Sequence, residues 1–487
     1  MSASTERKNR AAAIAAGTDK KTLAAREAEQ KARKSKRKWI IGSVAVILCI
    51  ALVLFLSSPV MYRITTAVTV GDRNYSPAEI SYTRATAKSS LSGYGYDNIV
   101  SYFGQETADQ LLETEVNSRL VRNVAMARYA QEQGISLSDR EKQDVADAAK
   151  AQMQALKEGA KVNGVSLSTY MSYVFGAGVN ESVIRSCMLD SDLSSKAMFS
   201  KFVEMNYSPE ELAAYYEDPV DGDSFTYATY LVTSEEGADP AEAKTAAEAL
   251  VDSFRDGYDG ETDLVTAFND LLAEDFPEAS ATVRDHVLGS TLTGELRDWL
   301  ADDSRAAGDI TALEVTNGWN VVLFRERSDN SEETVAVRHI LIMAEADADG
   351  NYSDEAKAAA KAEAEEILAA FQAGEQSEVE FAVLAAIHSE DSGSNSSGGL
   401  YTGILPGQMV PAFDEFCFAD HQYGDTDIVY GDNGSYAGYH VMFYVGKMSA
   451  RDATALDALR NRDMGEWLNG LTEGLEPTNR WAYKLVG

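Results

Sequence analysis

Two histidines sit at the centres of two apolar strands, His339 in VAVRHILIM (Val335–Met343) and His440 in GYHVMFYV (Gly438–Val445). Between them runs a polar loop, SEDSGSNSSGG (Ser389–Gly399), that carries Asp391. Imidazole, carboxylate and hydroxyl together are the groups of general acid–base catalysis and of serine hydrolysis, with Ser389 or Ser392 as the nucleophile. No nucleophile elbow or oxyanion motif accompanies them, which argues against hydrolysis. The other reading of the pair is that of satisfied core histidines that hold the sheet together. Leu400, Met409 and Phe413 are apolar candidates in the same stretch. Met409 and Phe413 are four apart, a spacing that also fits two core residues on one helical face.

Particular elements must hold these groups. Val337, His339 and Leu341 share one face of the first strand, Ile340 and Ile342 the other, so the strand belongs at the centre of a sheet covered on both sides. A histidine there is buried or lines a cleft. After it the spacing predicts an Ala/Glu/Lys-rich helix over about 353–372 with a stripe at Ala360, Ala364, Ile367, Leu368 and Phe371. A second helix over 379–387, a Ser/Gly loop and a short helix over 411–418 follow.

These words in this order resemble the parvulin family of peptidyl-prolyl cis-trans isomerases over residues 334–448. The matching positions are the strand His339, S-x-D-S-G-S with Asp391, G-G-L at Gly398–Leu400, G-Q-M with Met409, Phe413, and the closing G-Y-H of His440. The resemblance implies a catalytic network of His339, His440, Asp391 and a hydroxyl, represented by Ser435. It implies a proline-binding pocket of Leu400, Met409 and Phe413, and neither a metal nor an organic cofactor. The X-Pro bond has a rotation barrier close to 20 kcal/mol, so the site must grip the ring and favour the twisted amide. The sequence departs from the family in LYTGILP (400–406) and in Ser435, where a threonine is more usual. The loop AEADADG (344–350) is acidic where phosphate-selecting relatives are basic, which excludes a preference for phospho-Ser/Thr-Pro.

Residues 223–330 read as a worn copy of this module. SFTYATYLV (224–232) stands in the place of the first strand, and GDITALEVTNGWNVVLF (308–324) in that of the closing hairpin. Laid over one another, Thr229 falls where His339 stands and Asn320 where His440 stands. The copy is therefore expected to be structural or client-binding. Residues 64–217 carry capping boxes at Ser76/Glu79, Ser138/Glu141 and Ser208/Glu211, and i, i+4 apolar spacing at Leu112, Val116, Leu120 and Val124, which predicts a mainly helical domain. Its word order resembles the N-terminal chaperone region of the SurA, PpiD and PrsA folding factors, implying an apolar cradle for unfolded chains. The tail, 450–487, holds an amphipathic helix with Leu456, Leu459, Met464, Trp467 and Leu468, which the resemblance expects to return onto that helical domain.

The chain of 487 residues suggests about three domains at roughly 150 residues each. Its formal net charge is -34, and residues 1–38 hold 12 Lys/Arg against 4 Asp/Glu, leaving 31 basic against 73 acidic residues in the remainder. Such a surface repels phosphate backbones and excludes nucleic acid as a partner. Cys49, Cys187 and Cys417 have no metal spacing. The uncharged run Trp39–Leu56, extended to Tyr62, predicts a transmembrane helix at 39–62 behind a basic cytoplasmic tail at 1–38. The excess of Lys/Arg before it places the N-terminus in the cytoplasm and the bulk of the chain outside. A cleaved signal peptide is the rival reading, but its n-region of 38 residues would be long and no clear small-x-small site follows the run.

The expected fold class is thus α+β and multidomain: one N-terminal transmembrane helix, a helical SurA-N-like domain, a degenerate parvulin-like module and a C-terminal parvulin module. The expected function is that of a single-pass, membrane-anchored extracytoplasmic prolyl isomerase and chaperone acting on unfolded or nascent secreted polypeptides. The alternatives are a non-catalytic holdase and a secretion-associated adaptor.

Overall fold

The structure is a computed structural model that describes residues 3–486 apart from 19, 57, 94–95, 234–239 and 277. The chain divides into two compact units, residues 1–125, 137–191 and 474–487 in one and residues 126–136 and 192–473 in the other. Residues 192–217, expected with the helical domain, group with the second unit.

The first expectation to fall is the membrane span. Among the described residues no helix is long and apolar enough to cross a membrane. The helix Lys20–Leu56 contains the run, behind the charged Lys31, Arg33, Lys34, Lys36, Arg37 and Lys38. The side chains of residues 51–54 and 56, and residue 57, which belong to the expected span, lie outside the described residues. The transmembrane element of the expected fold class, and the single-pass location drawn from it, are withdrawn. What stands is a mixed helical and sheet multidomain chain.

In the first unit, β1 (Val68–Val70) and β2 (Arg73–Tyr75) form a hairpin whose Val68, Val70 and Tyr75 are buried with Leu112, Val116, Leu120 and Val124 of the helix Gln105–Gln133. The capping boxes form as the sequence dictates. The Ser76 N–H donates to Glu79 and the Glu79 N–H donates to Ser76 Oγ, and the same exchange occurs at Ser138/Glu141 and Ser208/Glu211. The tail helix returns onto the expected helical domain, at the part of it, residues 192–217, that groups with the second unit. The helix Ala450–Thr472 packs Leu456 and Leu459 on Leu212 and Tyr216 inside the second unit. The segment after it joins the first unit, where Leu475, Tyr483 and Val486 pack on the hairpin core. There a last short strand, Thr478–Asn479, pairs antiparallel with β1.

The second unit contains two four-stranded antiparallel sheets of one topology. The strands are β3 (Ser224–Thr233), β4 (Thr282–Leu288), β5 (Ile310–Val315) and β6 (Gly318–Ser328) in one, and β7 (Glu333–Met343), β8 (Leu400–Ile404), β9 (Thr426–Asp432) and β10 (Ala437–Ser449) in the other. Their orders, β4-β3-β6-β5 and β8-β7-β10-β9, are the same permutation. The register agrees as well. Thr229 pairs with Val322 and Leu231 with Asn320, as His339 pairs with Met442 and Leu341 with His440. Thr229 and Asn320 thus occupy the two histidine positions of the first sheet.

Nine consecutive residues of β7, Thr334 to Ile342, are buried, as a strand covered on both faces must be. On one face Ile340, Ile342, Val441 and Phe443 pack under the helices Asp354–Gln372 and Glu378–His388, with Phe371 edge-on to both Phe381 and Phe443 and those two tilted against each other. Each such buried ring contributes about 1.5–3 kcal/mol. On the other face Val335, Val337, Met442 and Tyr444 pack with Phe413, Phe416 and Cys417 of the helix Pro411–Phe418. His339 and His440 belong to this second face.

Candidate active site

The two histidines come from adjacent antiparallel strands and share one sheet face, because residue parity in β7 and β10 is set by their register. His339 is 2% exposed and His440 3%. Their Nδ1 atoms lie 3.0 Å apart. His339 Nε2 is 2.9 Å from Asp391 Oδ2 and 3.1 Å from Ser394 Oγ, and His440 Nε2 is 2.9 Å from the Tyr436 hydroxyl.

Asp391 is the acceptor at which this network ends. Ser394 Oγ and the Tyr401 hydroxyl donate to its Oδ2, and the Gly393 N–H donates to its Oδ1. The hydrogen bond from His339, with those from Ser394 and Gly393, holds Asp391 well below the usual carboxylate range in spite of its burial. An ionised carboxylate only accepts, so His339 Nε2 carries a proton and donates it. Burial, with His339 beside it, drops the pKa of His440 to about 3. We assign the remaining roles from the network: Tyr436 donates to His440 Nε2, and His440 Nδ1–H donates to His339 Nδ1. The order Tyr436–His440–His339–Asp391 then leaves every buried ring nitrogen along it partnered.

Beside this chain lies an apolar surface. Phe413 sets its edge against both imidazoles, with ring centroids 5.3 Å away in each case. Phe413 is 2% exposed and forms a floor on which half-buried Tyr401, Met409 and Val429 pack. The Tyr401 ring stacks on His339 at 5.2 Å, and burial together with the Asp391 charge pushes its hydroxyl up to about 12. An apolar floor walled by a thioether and a phenol, next to fixed polar groups, suits a small ring attached to an amide. Among the described residues no cluster of His, Cys, Asp and Glu is placed to hold a metal ion.

Residues 321–442 match the PPIC-type PPIASE domain. The matched span contains His339, Asp391, Leu400, Met409, Phe413 and His440, and it begins inside β6 and ends inside β10. Among curated proteins, Chaperone SurA of Alkalilimnicola ehrlichii is 26% identical over 312 residues, 62% of this chain and 66% of that protein. Chaperone SurA of Pseudomonas fluorescens is 33% identical over 175 residues, 34% of this chain and 38% of that protein. The chain therefore spans about two thirds of the first relative's length, and less of the second's. Among solved structures, PrsA from Bacillus subtilis aligns over 78% of this chain and 87% of that one, at 13% identity and a TM-score of 0.19.

Within the PPIase-type module the structure brings His339, His440, Asp391, Met409 and Phe413 together, and it leaves out two residues expected with them. Leu400 pairs with Arg338, so it shares the Arg338 face of the sheet, opposite the histidines; its neighbour Tyr401 pairs with Val337 and takes the place beside His339. Ser435 is an exposed turn residue whose N–H donates to Asn433 and whose carbonyl accepts from Tyr352. The hydroxyl that meets His440 is that of Tyr436. Met409 precedes the helix Pro411–Phe418 and packs through the shared cluster, not through a helical i, i+4 pair. Strand alternation carries the signal that finds the missed residues: Tyr436 has the parity of His440, and Ser435 does not.

A pair of substitutions separates these hydroxyls. Tyr436→Phe leaves the ring and removes a donor to a buried nitrogen, a loss of about 1–3 kcal/mol that corresponds to roughly tenfold or more in turnover. Ser435→Ala is expected to leave turnover unchanged. Steady-state isomerisation of a short X-Pro peptide by both variants decides between them.

Proposed function

We propose that the PPIase-type module accelerates cis–trans isomerisation of X-Pro bonds in unfolded polypeptide chains, and that the rest of the chain helps to hold those clients. The observation that carries this reading is the unbroken hydrogen-bonded order Tyr436–His440–His339–Asp391 seated on the Phe413–Met409–Tyr401 surface, inside the span that matches the PPIC-type domain. The reaction makes and breaks no σ bond, so a nucleophile is unnecessary. What lowers the barrier is a surface that fits the proline ring when the amide is twisted better than when it is planar, beside polar groups that need no reorganisation. The buried network supplies that rigidity: His339 and His440 are locked by partners at both nitrogens, so the floor they share with Phe413 cannot relax around a planar amide.

A second reading is that of a holdase without turnover, and the first sheet favours it, because the same topology and register there carry Thr229 and Asn320 instead of histidines. An isomerisation assay with the whole chain on a proline peptide, run beside an aggregation assay with an unfolded protein, distinguishes the two. The proposed function expects relaxation faster than the uncatalysed tens of seconds. An uncatalysed rate with aggregation still suppressed would leave only the holdase.

A further inference from the structure

We propose that Arg338 is a positioning residue for the histidine–aspartate network, acting from the opposite face of the strand through the Ser/Gly loop. The inference rests on the site proposed above. Arg338 is fully buried in β7, next in sequence to His339 and therefore pointing away from it. Its Nε donates to Glu378 Oε1 at 2.9 Å, and its Nη1 donates to the carbonyls of Ser397 and Gly398 at 2.8 and 3.0 Å. Among the described residues its Nη2 has no acceptor. Glu378 is held in turn by the Tyr423 hydroxyl, which donates to Oε2 at 3.0 Å.

The two carbonyls that Arg338 grips belong to the end of the loop whose beginning bonds His339. Residues 389–399 are strapped to β7 at Leu341, His339 and Arg338. Ser389 Oγ accepts from the Leu341 N–H and the Glu390 N–H donates to the Leu341 carbonyl. The His339 N–H donates to the Gly399 carbonyl at 2.8 Å, and Arg338 takes the carbonyls before it. Asp391 and Ser394 lie between the straps and are set by them, since the Gly399 N–H also donates to the Ser394 carbonyl at 2.9 Å. Gly398 and Gly399 have φ of 66° and 72°, and a Cβ on Gly399 would strike the His339 carbonyl. The loop thus ends in a left-handed pair that only glycine adopts freely and that the Arg338 guanidinium fixes in place. A buried ion pair alone is poor evidence of a stabilising role, because apolar replacements of both partners are often tolerated. Here three of the five guanidinium donor hydrogens are engaged and two of their acceptors are loop carbonyls, which is the geometry of a clamp.

That property supplies the test. Arg338→Met removes the clamp and strands Glu378; the double variant Arg338→Met/Glu378→Leu removes the clamp and leaves no buried charge. We expect the double variant to fold and to lose about tenfold in kcat/KM on a proline peptide, mostly in kcat, with Arg338→Lys intermediate. The imidazole 15N–1H signals of His339 and His440 should shift in the double variant, showing that the network has moved. Should the double variant keep both wild-type turnover and wild-type imidazole signals, Arg338 only neutralises Glu378 and the proposal fails. If the unmodified chain proves to have no isomerase activity, the imidazole signals still decide: unchanged in the double variant, they overturn the clamp, and shifted, they uphold it independently of the catalytic reading.

Discussion

Replacing Asp391 by alanine is expected to cut prolyl-isomerase turnover about 100-fold and to destabilise the PPIase-type module on the order of 3 kcal/mol. Four donors converge on this carboxylate, from His339, Ser394, Tyr401 and the Gly393 main chain. Losing an ionised acceptor costs about 1.5–3 kcal/mol per hydrogen bond, and not all of these losses add, since Ser394 retains His339 as a partner. About 2.7 kcal/mol at the transition state is a factor of 100. Asp391→Asn keeps an acceptor and should lose less. The measurement is kcat/KM with a proline peptide, together with urea denaturation followed by the methyl signal of Met442, which is buried beside the histidines in β10. Turnover within threefold of the unmodified chain would remove Asp391 from the mechanism.

The second large effect is on stability as a function of pH. Burial lowers His440 to about 3 in the folded chain, against an ordinary value of 6.5 when unfolded. Between those values the unfolded chain binds a proton that the folded chain refuses, so stability is full above about 6.5 and falls as pH falls. The slope approaches 1.4 kcal/mol per pH unit for one such group, on the order of 3 kcal/mol between pH 6.5 and 4.5. Asp391 has the same sign in a lower window. Its folded pKa is depressed, so its contribution is present above the unfolded value near 3.9 and is lost below it. Of these two groups, only His440 contributes between 4.5 and 6.5. His440→Asn, which keeps a polar atom near the position of Nδ1 and does not titrate, should flatten the Met442-monitored stability across that interval. A slope that survives the substitution would mean that another group sets it.

The neutral state of His440 also bears on mechanism. An imidazole that stays unprotonated down to about pH 3 cannot exchange protons with a substrate near neutrality, which agrees with a site that works by shape and fixed dipoles. The first sheet of the second unit shows what the same scaffold is without that pair. Its Thr229 and Asn320 occupy the register positions of His339 and His440, so the scaffold folds without imidazoles at those places. Their presence in the second sheet is then a matter of the site rather than of the sheet.

The sequence by itself determined the features that depend on nearest neighbours along the chain. Capping boxes at Ser76, Ser138 and Ser208 and the apolar stripe of 353–372 are set by hydrogen bonds and contacts within a few residues, so they were legible one at a time. The double burial of β7 was legible for the same reason, since apolar residues on both parities leave no face for water. The overlay of Thr229 on His339 and of Asn320 on His440 followed from word order, because the two stretches run through the same succession of strands and helices. The N-terminal run is where the sequence expectation and the structure part: among the described residues no helix is long and apolar enough to cross a membrane.

Only the tertiary structure decided which hydroxyl meets His440, which residue stands beside His339 on β8, and what Arg338 holds. Each of these depends on pairing between strands distant in sequence. A shift of one residue there exchanges Tyr401 for Leu400 or Tyr436 for Ser435, because neighbouring side chains on a strand point to opposite faces. The sequence names the residues of a site, but hydrogen bonding between strands selects the face on which they meet.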